Sequence, residues 1–233
     1  MPGQETAAAA TSLVEVKPAP RPPAAAGALV TAPPAAPPVS AATGVPAVEV
    51  LAHDELRTGR LVIRAVRASD RDAVCAMLDA ARASVAPVLN IYQPGEDAVA
   101  TFQRLAKAGH DGDASGRAWR RLVTLTTGEP VGMVHLLGIE RGLTPKGDAG
   151  WWTAPRHRGC GYALEAVRAV VQHALAEPPR GLGLFMIDAA ITPCNAASAK
   201  VAAGAGFVFT GENCSVQLAG GWASHEIWRA GAN

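Results

Sequence analysis

Four cysteines are few for a chain of 233 residues. Cys75, Cys160, Cys194 and Cys214 fall at no spacing that pairs metal ligands, and they are too few to frame so long a chain with disulfides. A disulfide scaffold and a metal centre are thereby set aside, and a reducing, cytoplasmic setting is expected. No run of eighteen or more apolar residues occurs, and the N-terminus lacks the basic start and compact apolar stretch of a secretion signal. A soluble, unexported chain with no membrane partner is the expectation. Charge of one sign is also missing: 21 Lys and Arg against 20 Asp and Glu leave a net charge of +1, which argues against a nucleic-acid binder.

Aromatic residues make up only 5% of the chain, and the first fifty residues hold none. That stretch instead holds more than half of the 18 prolines, in runs such as "PAPRPPAAAG" and "APPAAPPVS". Such a composition buries too little apolar surface to offset chain entropy, so residues 1–54 are expected to form a disordered Ala/Pro-rich tail, with a docking segment as the functional alternative. Residues 55–233 are expected to form one domain, and 49% hydrophobic content suffices for its core.

Periodicity orders the elements of that domain. "RLVIRAV" alternates as a strand, and Ser69 with Asp72 three residues on marks a helix start. Residues 96–109 form a second helix, ended near Gly109. "WRRLVTLTTGEPVGMVHLLGIE" reads as two strands joined by a hairpin turn at "TGEP", and "DAGWWTAP" as a third. A helix then runs from Tyr162 until Pro178 and Pro179 forbid it. The strand "GLFMIDAAI", a helix over 196–203, "FVFTG" and a last strand around "ASHEIWR" complete the order β-α-α-β-β-β-α-β-α-β-β. Local hairpins followed by strand-helix-strand crossovers imply an α/β mixed sheet flanked by helices.

The junction "RHRGCGYALEAV", residues 156–167, carries the chemistry. A strand that turns into a helix through Gly159-Cys160-Gly161 leaves several backbone N–H groups without intrahelical partners. The helix dipole adds positive potential there, bare glycines admit an anion, and Arg156 and Arg158 add charge, so a phosphate or diphosphate is favoured. The Walker pattern is not met, since no lysine follows, and neither is the dinucleotide fingerprint, which needs a third glycine. A plain strand-to-helix junction is the competing reading.

Arg-x-x-Gly-x-Gly at 156–161 resembles the acetyl-CoA diphosphate loop of the GNAT N-acetyltransferases. "ITPCNAASAKVAAGAGF", residues 191–207, is similar to the Asn-x-x-Ser segment, ending in Gly-Phe, of that family's ribosomal-protein and peptide N-terminal acetyltransferase branch. The resemblance implies a GNAT fold: a twisted mixed sheet of about seven strands with about four helices, whose central parallel strands splay to admit pantetheine. It implies that Arg156, Arg158, Gly159, Cys160, Gly161, Tyr162 and Ala163 surround the diphosphate, that Thr153 and Ala154 neighbour the pantetheine, and that Asn195 bonds the cofactor's amide region. Ser198 would protonate the leaving thiolate. Asn195 is equally placed to cap its helix, and Ser198 to be an ordinary first-turn residue. Gly204 departs from the branch, where a basic residue usually precedes Gly-Phe, and Lys200 is its nearest substitute.

Acyl transfer to an amine needs a base near the thioester carbonyl. Glu140, closing "VGMVHLLGIE", is the first candidate; His135 and Asp148 follow. A backbone N–H on the same strand would meet the oxyanion. Trp151 and Trp152 face opposite sides of their strand, His157 is expected to face solvent, and Cys160 lacks a base partner for nucleophilic work. The expected function is acetyl-CoA-dependent N-acetyltransfer to a primary amine, a protein N-terminus or a small amine, by a monomer or homodimer. The segment 84–97 would select the acceptor. The alternatives are a non-catalytic acyl-CoA-binding module and a nucleotide-binding protein.

Overall fold

The computed structural model describes residues 49–51, 55–86, 89–218 and 220–231. Most of the expected tail, and the alternative of a docking segment within it, lie outside these residues. In chain order the described elements are β1 (Glu49–Leu51), β2 (Glu55–Arg57), β3 (Leu61–Arg64), α1 (Arg71–Val85), α2 (Ala98–Ser115), β4 (Trp119–Leu125), β5 (Pro130–Glu140), β6 (Lys146–Thr153), α3 (Tyr162–Leu175), β7 (Met186–Ile191), α4 (Ala196–Gly204), β8 (Val208–Leu218) and β9 (Gly221–Gly231). The strands form one sheet in the order β1-β2-β3-β4-β5-β6-β7-β9-β8. This is the expected mixed α/β architecture, with two more strands than anticipated. β1 and β2 are three residues each, too short for alternation to reveal, and β1 sits inside the compositional tail.

The sheet is covered on both faces. Val74, Met77, Leu78 and Val85 of α1 and Phe102 of α2 pack with Leu122, Met133 and Trp152 on one side. Ala166, Val167 and Val170 of α3 and Ala202 of α4 pack with Ile63, Val134, Leu136 and Ile187 on the other. Trp152 belongs to the first face, while Trp151 meets Phe207 on the second, ring centroids 6.2 Å apart. The adjacent tryptophans thus divide between faces as strand geometry requires.

Two helix boundaries differ from expectation. Ser69 does not cap α1; Asp70 stands at the N-cap without a side-chain capping bond, its carboxylate turned back to accept from the Arg67 N–H at 2.7 Å and from the Arg64 guanidinium at 2.7 and 2.8 Å. α2 begins where the Asp97 side chain accepts from the Ala100 N–H, runs through Gly109, and stops at Gly116, which holds φ +66°. Glycine is tolerated inside a helix at about 1 kcal/mol, so Gly109 alone was no stop. Left-handed backbone at Gly116 is.

One pairing positions everything that follows. All neighbouring strands are antiparallel except β6 and β7, which are parallel and matched only at Lys146–Met186, Gly147–Ile187 and Asp148–Asp188. Beyond Asp148 the two strands part. β6 stays with β5 as far as Thr153, and β7 stays with β9 as far as Ile191. The facing edges of Ala149–Thr153 and Ala189–Ile191 form a fork in the middle of the sheet.

Gly132 is required for β5 and β6 to close on each other, since a Cβ there would fall 2.1 Å from the Trp152 carbonyl oxygen. Gly132→Ala is expected to destabilise the domain by about 1–3 kcal/mol, the usual penalty for overpacking. Urea unfolding at constant m-value would show it as a lower midpoint, and an unmoved midpoint would refute the close approach.

Candidate active site

The turn after β6 is built from short local hydrogen bonds. Ala154 N–H donates to the Val131 carbonyl at 2.8 Å, and His157 N–H donates to the Ala154 carbonyl at 2.9 Å, closing a 3-10 turn at Pro155–His157. The chain then passes Gly159 and Gly161, at φ +76° and +79°, and enters α3. Glu165 N–H to the Gly161 carbonyl, 3.1 Å, is the first bond of the helix. No protein acceptor among the described residues meets the backbone N–H groups of residues 159–164. Six consecutive donors at a helix N-terminus make a cradle for an anion of diphosphate size.

The arginines are arranged differently from expectation. Arg156 pairs with Glu129 at 2.9 Å, and its Nε donates to His157 Nε2 at 3.1 Å. Arg158 folds back along β6, donating to the Thr153 carbonyl at 3.3 Å and the Ser84 hydroxyl at 2.9 Å. Both brace the turn from its flanks. The guanidinium that lies on the cradle belongs to Arg60, which donates to the Cys160 carbonyl at 3.1 Å and to Glu165 at 2.7 Å and lies 4.7 Å from the Tyr162 ring centroid. The Thr58 hydroxyl donates to the same Glu165 at 2.5 Å. Burial opposes ionisation of Glu165, but these donors outweigh it and hold its carboxyl below the usual range. His157 does not face solvent: its side chain is 11% exposed and lies edge-on to Tyr162. Cys160 is exposed, with only a 3.7 Å contact from its Sγ to the Arg158 carbonyl.

At the other prong of the fork, Asn195 caps α4, its Oδ1 accepting from the Ser198 N–H at 3.1 Å. Ser198 is half-buried, and its hydroxyl makes no hydrogen bond among the described residues. Thr192 and His225 Nε2 are 3.1 Å apart, while His225 Nδ1 lies 3.0 Å from the Ala223 carbonyl. A carbonyl only accepts, so Nδ1 carries the proton and Nε2 accepts from the Thr192 hydroxyl. Gly204 has a packing reason: a Cβ there would stand 2.8 Å from Leu164 Cδ1, and the Gly204 carbonyl accepts from Arg168 Nε at 2.8 Å.

The three candidate bases are separated by the fold. Glu140 is 65% exposed, ion-paired to Lys146 at 3.4 Å, and pairs in register with Lys146 at the closed end of β6. Asp148 ends the paired stretch opposite Asp188, which Arg229 holds through two 2.7 Å bonds. Partial loss of water, then the Asp188 charge, raise the pKa of Asp148. His135 is opposite Gly150 on β6, and a Cβ at Gly150 would fall 2.2 Å from His135 Nε2. Burial, reinforced by the Arg120 charge, lowers the His135 pKa from 6.5 to about 4.

An acetyltransferase (GNAT) domain model matches residues 60–208, more than half of the chain. A probable N-acetyltransferase of Bacillus subtilis, YjcK, is 35% identical over 98 residues, which are 42% of this chain and 52% of that protein. The match thus spans about half the length of that curated relative. Among solved structures, Mycobacterium smegmatis RimJ in complex with CoA-disulfide superposes with a TM-score of 0.64 at 23% identity, over 74% of this chain and 82% of that one. The ribosomal-protein-S5-alanine acetyltransferase of Vibrio fischeri gives a TM-score of 0.64 at 20% identity, over 76% and 96% of the two chains. These likenesses show the fold.

The depressed His135 pKa links stability to pH. Between pH 6.5 and about 4 the unfolded chain binds a proton that the folded chain refuses, so stability declines as pH falls through that window, by about 3 kcal/mol in all. His135→Gln removes this contribution. Chemical denaturation at pH 7 and pH 4.5 is expected to show a smaller loss for the variant than for the wild type; equal losses would mean that His135 protonates freely in the folded state.

Proposed function

The chain belongs to the GNAT acetyltransferase family, and from that premise we propose that it is an N-acetyltransferase that takes its acetyl group from acetyl-CoA and delivers it to a primary amine within a ternary complex. The observation that carries the reading is the row of six unpaired N–H groups at residues 159–164, at the end of the strand whose free edge lines the fork. The CoA-bound RimJ structure shares this fold. In this reading Gly159, Cys160, Gly161, Tyr162 and Ala163 bind the diphosphate through their backbone, with Arg60, Arg156 and Arg158 shaping the loop. Pantetheine lies against the open edge of β6 down to Thr153 and Ala154, where its amides find the backbone groups that β7 leaves unpaired. Asn195 has its Oδ1 committed to the cap and contacts the cofactor through its amide N–H₂. Ser198, with a free hydroxyl, donates the proton to the departing thiolate.

The acceptor is a protein N-terminus or a small amine; proteins whose names carry each kind of acceptor share this fold. We assign the choice of acceptor to the 84–97 segment. Asn90 of that segment donates to the Gln217 carbonyl at 2.6 Å and so reaches the β8–β9 hairpin, whose Trp222 is 71% exposed. No described helix is long and apolar enough to cross a membrane; our placement of the enzyme in the cytoplasm rests on its four scattered, free cysteines. A non-catalytic acyl-CoA module draws no support from the family match.

Two substitutions test the reading. Gly161→Val puts a β-branched residue at φ +79° and against Arg60, so calorimetry should show CoA affinity reduced about 100-fold or more in a folded domain. Wild-type affinity would move the diphosphate elsewhere. Ser198→Ala should lower kcat about 100-fold with acetyl-CoA affinity within twofold of wild type, and equal turnover would remove its acid role.

A further inference from the structure

Of the candidate bases, His135 is the one whose ring lies over the backbone of the unpaired β6 edge. β5 and β6 place it directly opposite Gly150, two residues past the last β6–β7 pair and on the unpaired part of the β6 edge. Its imidazole occupies the volume that any Cβ at 150 would need, with Nε2 nearest, so the ring reaches across β6 over bare backbone. Neither ring nitrogen has a hydrogen-bond partner among the described residues, whereas His157, His173 and His225, also partly or fully buried, are engaged. Across the ladder on its other side stands Arg120, whose Nη1 is spent on the Ala108 carbonyl at 3.0 Å. Asp148, two residues along β6 from Gly150, is the nearest carboxylate on the same face of that strand.

We propose that His135 is the proton acceptor of the transfer, with Gly150 as the residue that lets its ring reach the thioester; this rests on the N-acetyltransferase reading above. The amine nitrogen attacks the thioester carbonyl carbon, a C–N bond forms, and the carbonyl π pair moves to oxygen. His135 Nε2 takes the proton released from that nitrogen. The C=O bond re-forms as the C–S bond breaks, and the departing thiolate receives one proton from Ser198, leaving an amide and free CoA. The imidazolium gives up its proton in turn, through solvent, to restore the Ser198 hydroxyl. Electrons and protons balance without a further reactant. Burial and the Arg120 charge leave the ring unprotonated throughout the neutral range, so its nitrogen lone pair is free when the amine arrives. Glu140 lacks this access: its partner Lys146 is four residues from Gly150, roughly 13 Å along the strand.

The test uses full-length protein, acetyl-CoA, and primary amines comprising peptides with free N-terminal Ala or Ser and a polyamine. His135→Ala and His135→Gln are expected to lower kcat by about 100- to 1,000-fold. The Kd for CoA by calorimetry should stay within threefold, and added imidazole should restore turnover to His135→Ala. Gly150→Ala, which displaces the ring and leaves it present, is expected to lower kcat at least 10-fold with CoA affinity retained. Turnover within threefold of wild type in both His135 variants overturns the assignment alone. Lost turnover that imidazole fails to rescue, together with lost CoA affinity, marks a structural role and also overturns it. A wild-type protein that binds CoA and acetylates none of these amines overturns the N-acetyltransferase reading and this inference together.

Discussion

The parallel ladder between β6 and β7 ends after three residue pairs, and the site exists because it ends there. A strand edge buried without partners forfeits about 1–3 kcal/mol for each unmet backbone group, so a sheet does not ordinarily open at its centre. Here each prong is held firmly from outside. β7 keeps a six-pair ladder with β9, reinforced by Arg229 on Asp188. β6 keeps its ladder with β5 to Thr153, closed by Gly132. The gap is lined on one face by Trp151 against Phe207 and on the other by His135 over Gly150. What remains open is a row of donors and acceptors that a ligand with amide groups can satisfy, ending in the anion cradle at the start of α3.

The cradle shows how charge is used to fix geometry. Glu165 in the first turn of α3 favours the helix dipole and would repel a diphosphate. Arg60 and Thr58 absorb that charge and tie the β2–β3 turn to the loop. Arg156 on Glu129 and Arg158 on Ser84 fasten its flanks. The arginines are largely exposed, and ion pairs made by exposed guanidinium groups contribute little to stability. Their effect is to hold Gly159 and Gly161 in left-handed backbone, so that the donors converge before a ligand arrives.

Much of this was legible in the sequence, and the limits have physical causes. The loop could be read because two glycines before an amphipathic helix constrain backbone locally, and element order followed from periodicity. Arg60 and Glu165 gave no signal, since their contact joins residues 105 apart. Arg156 and Arg158 were legible as charges but not in direction, because their partners Glu129 and Ser84 come from other elements. Glu140 looked favourable as a carboxylate at a strand end. The irregularity in β5–β6 pairing between Leu137 and Glu140 sets its register against Lys146, and such bulges carry no clear sequence mark. The pairing of His135 with Gly150 is likewise a matter of register, and a one-residue slip would turn the ring to the opposite face.

Gly204 connects the two ends of the site. Glycine there brings α4 against Leu164 of α3, and Arg168 clasps the last carbonyl of α4. α3 carries the cradle and α4 carries Asn195 and Ser198, so this contact sets the distance between the diphosphate and the reacting end. Asn195 then fixes the rotation of α4's first turn by capping it, which leaves the Ser198 hydroxyl unbonded while its N–H is held. The close approach at Gly204 therefore holds the starts of the two helices, with their backbone donors, at a fixed spacing.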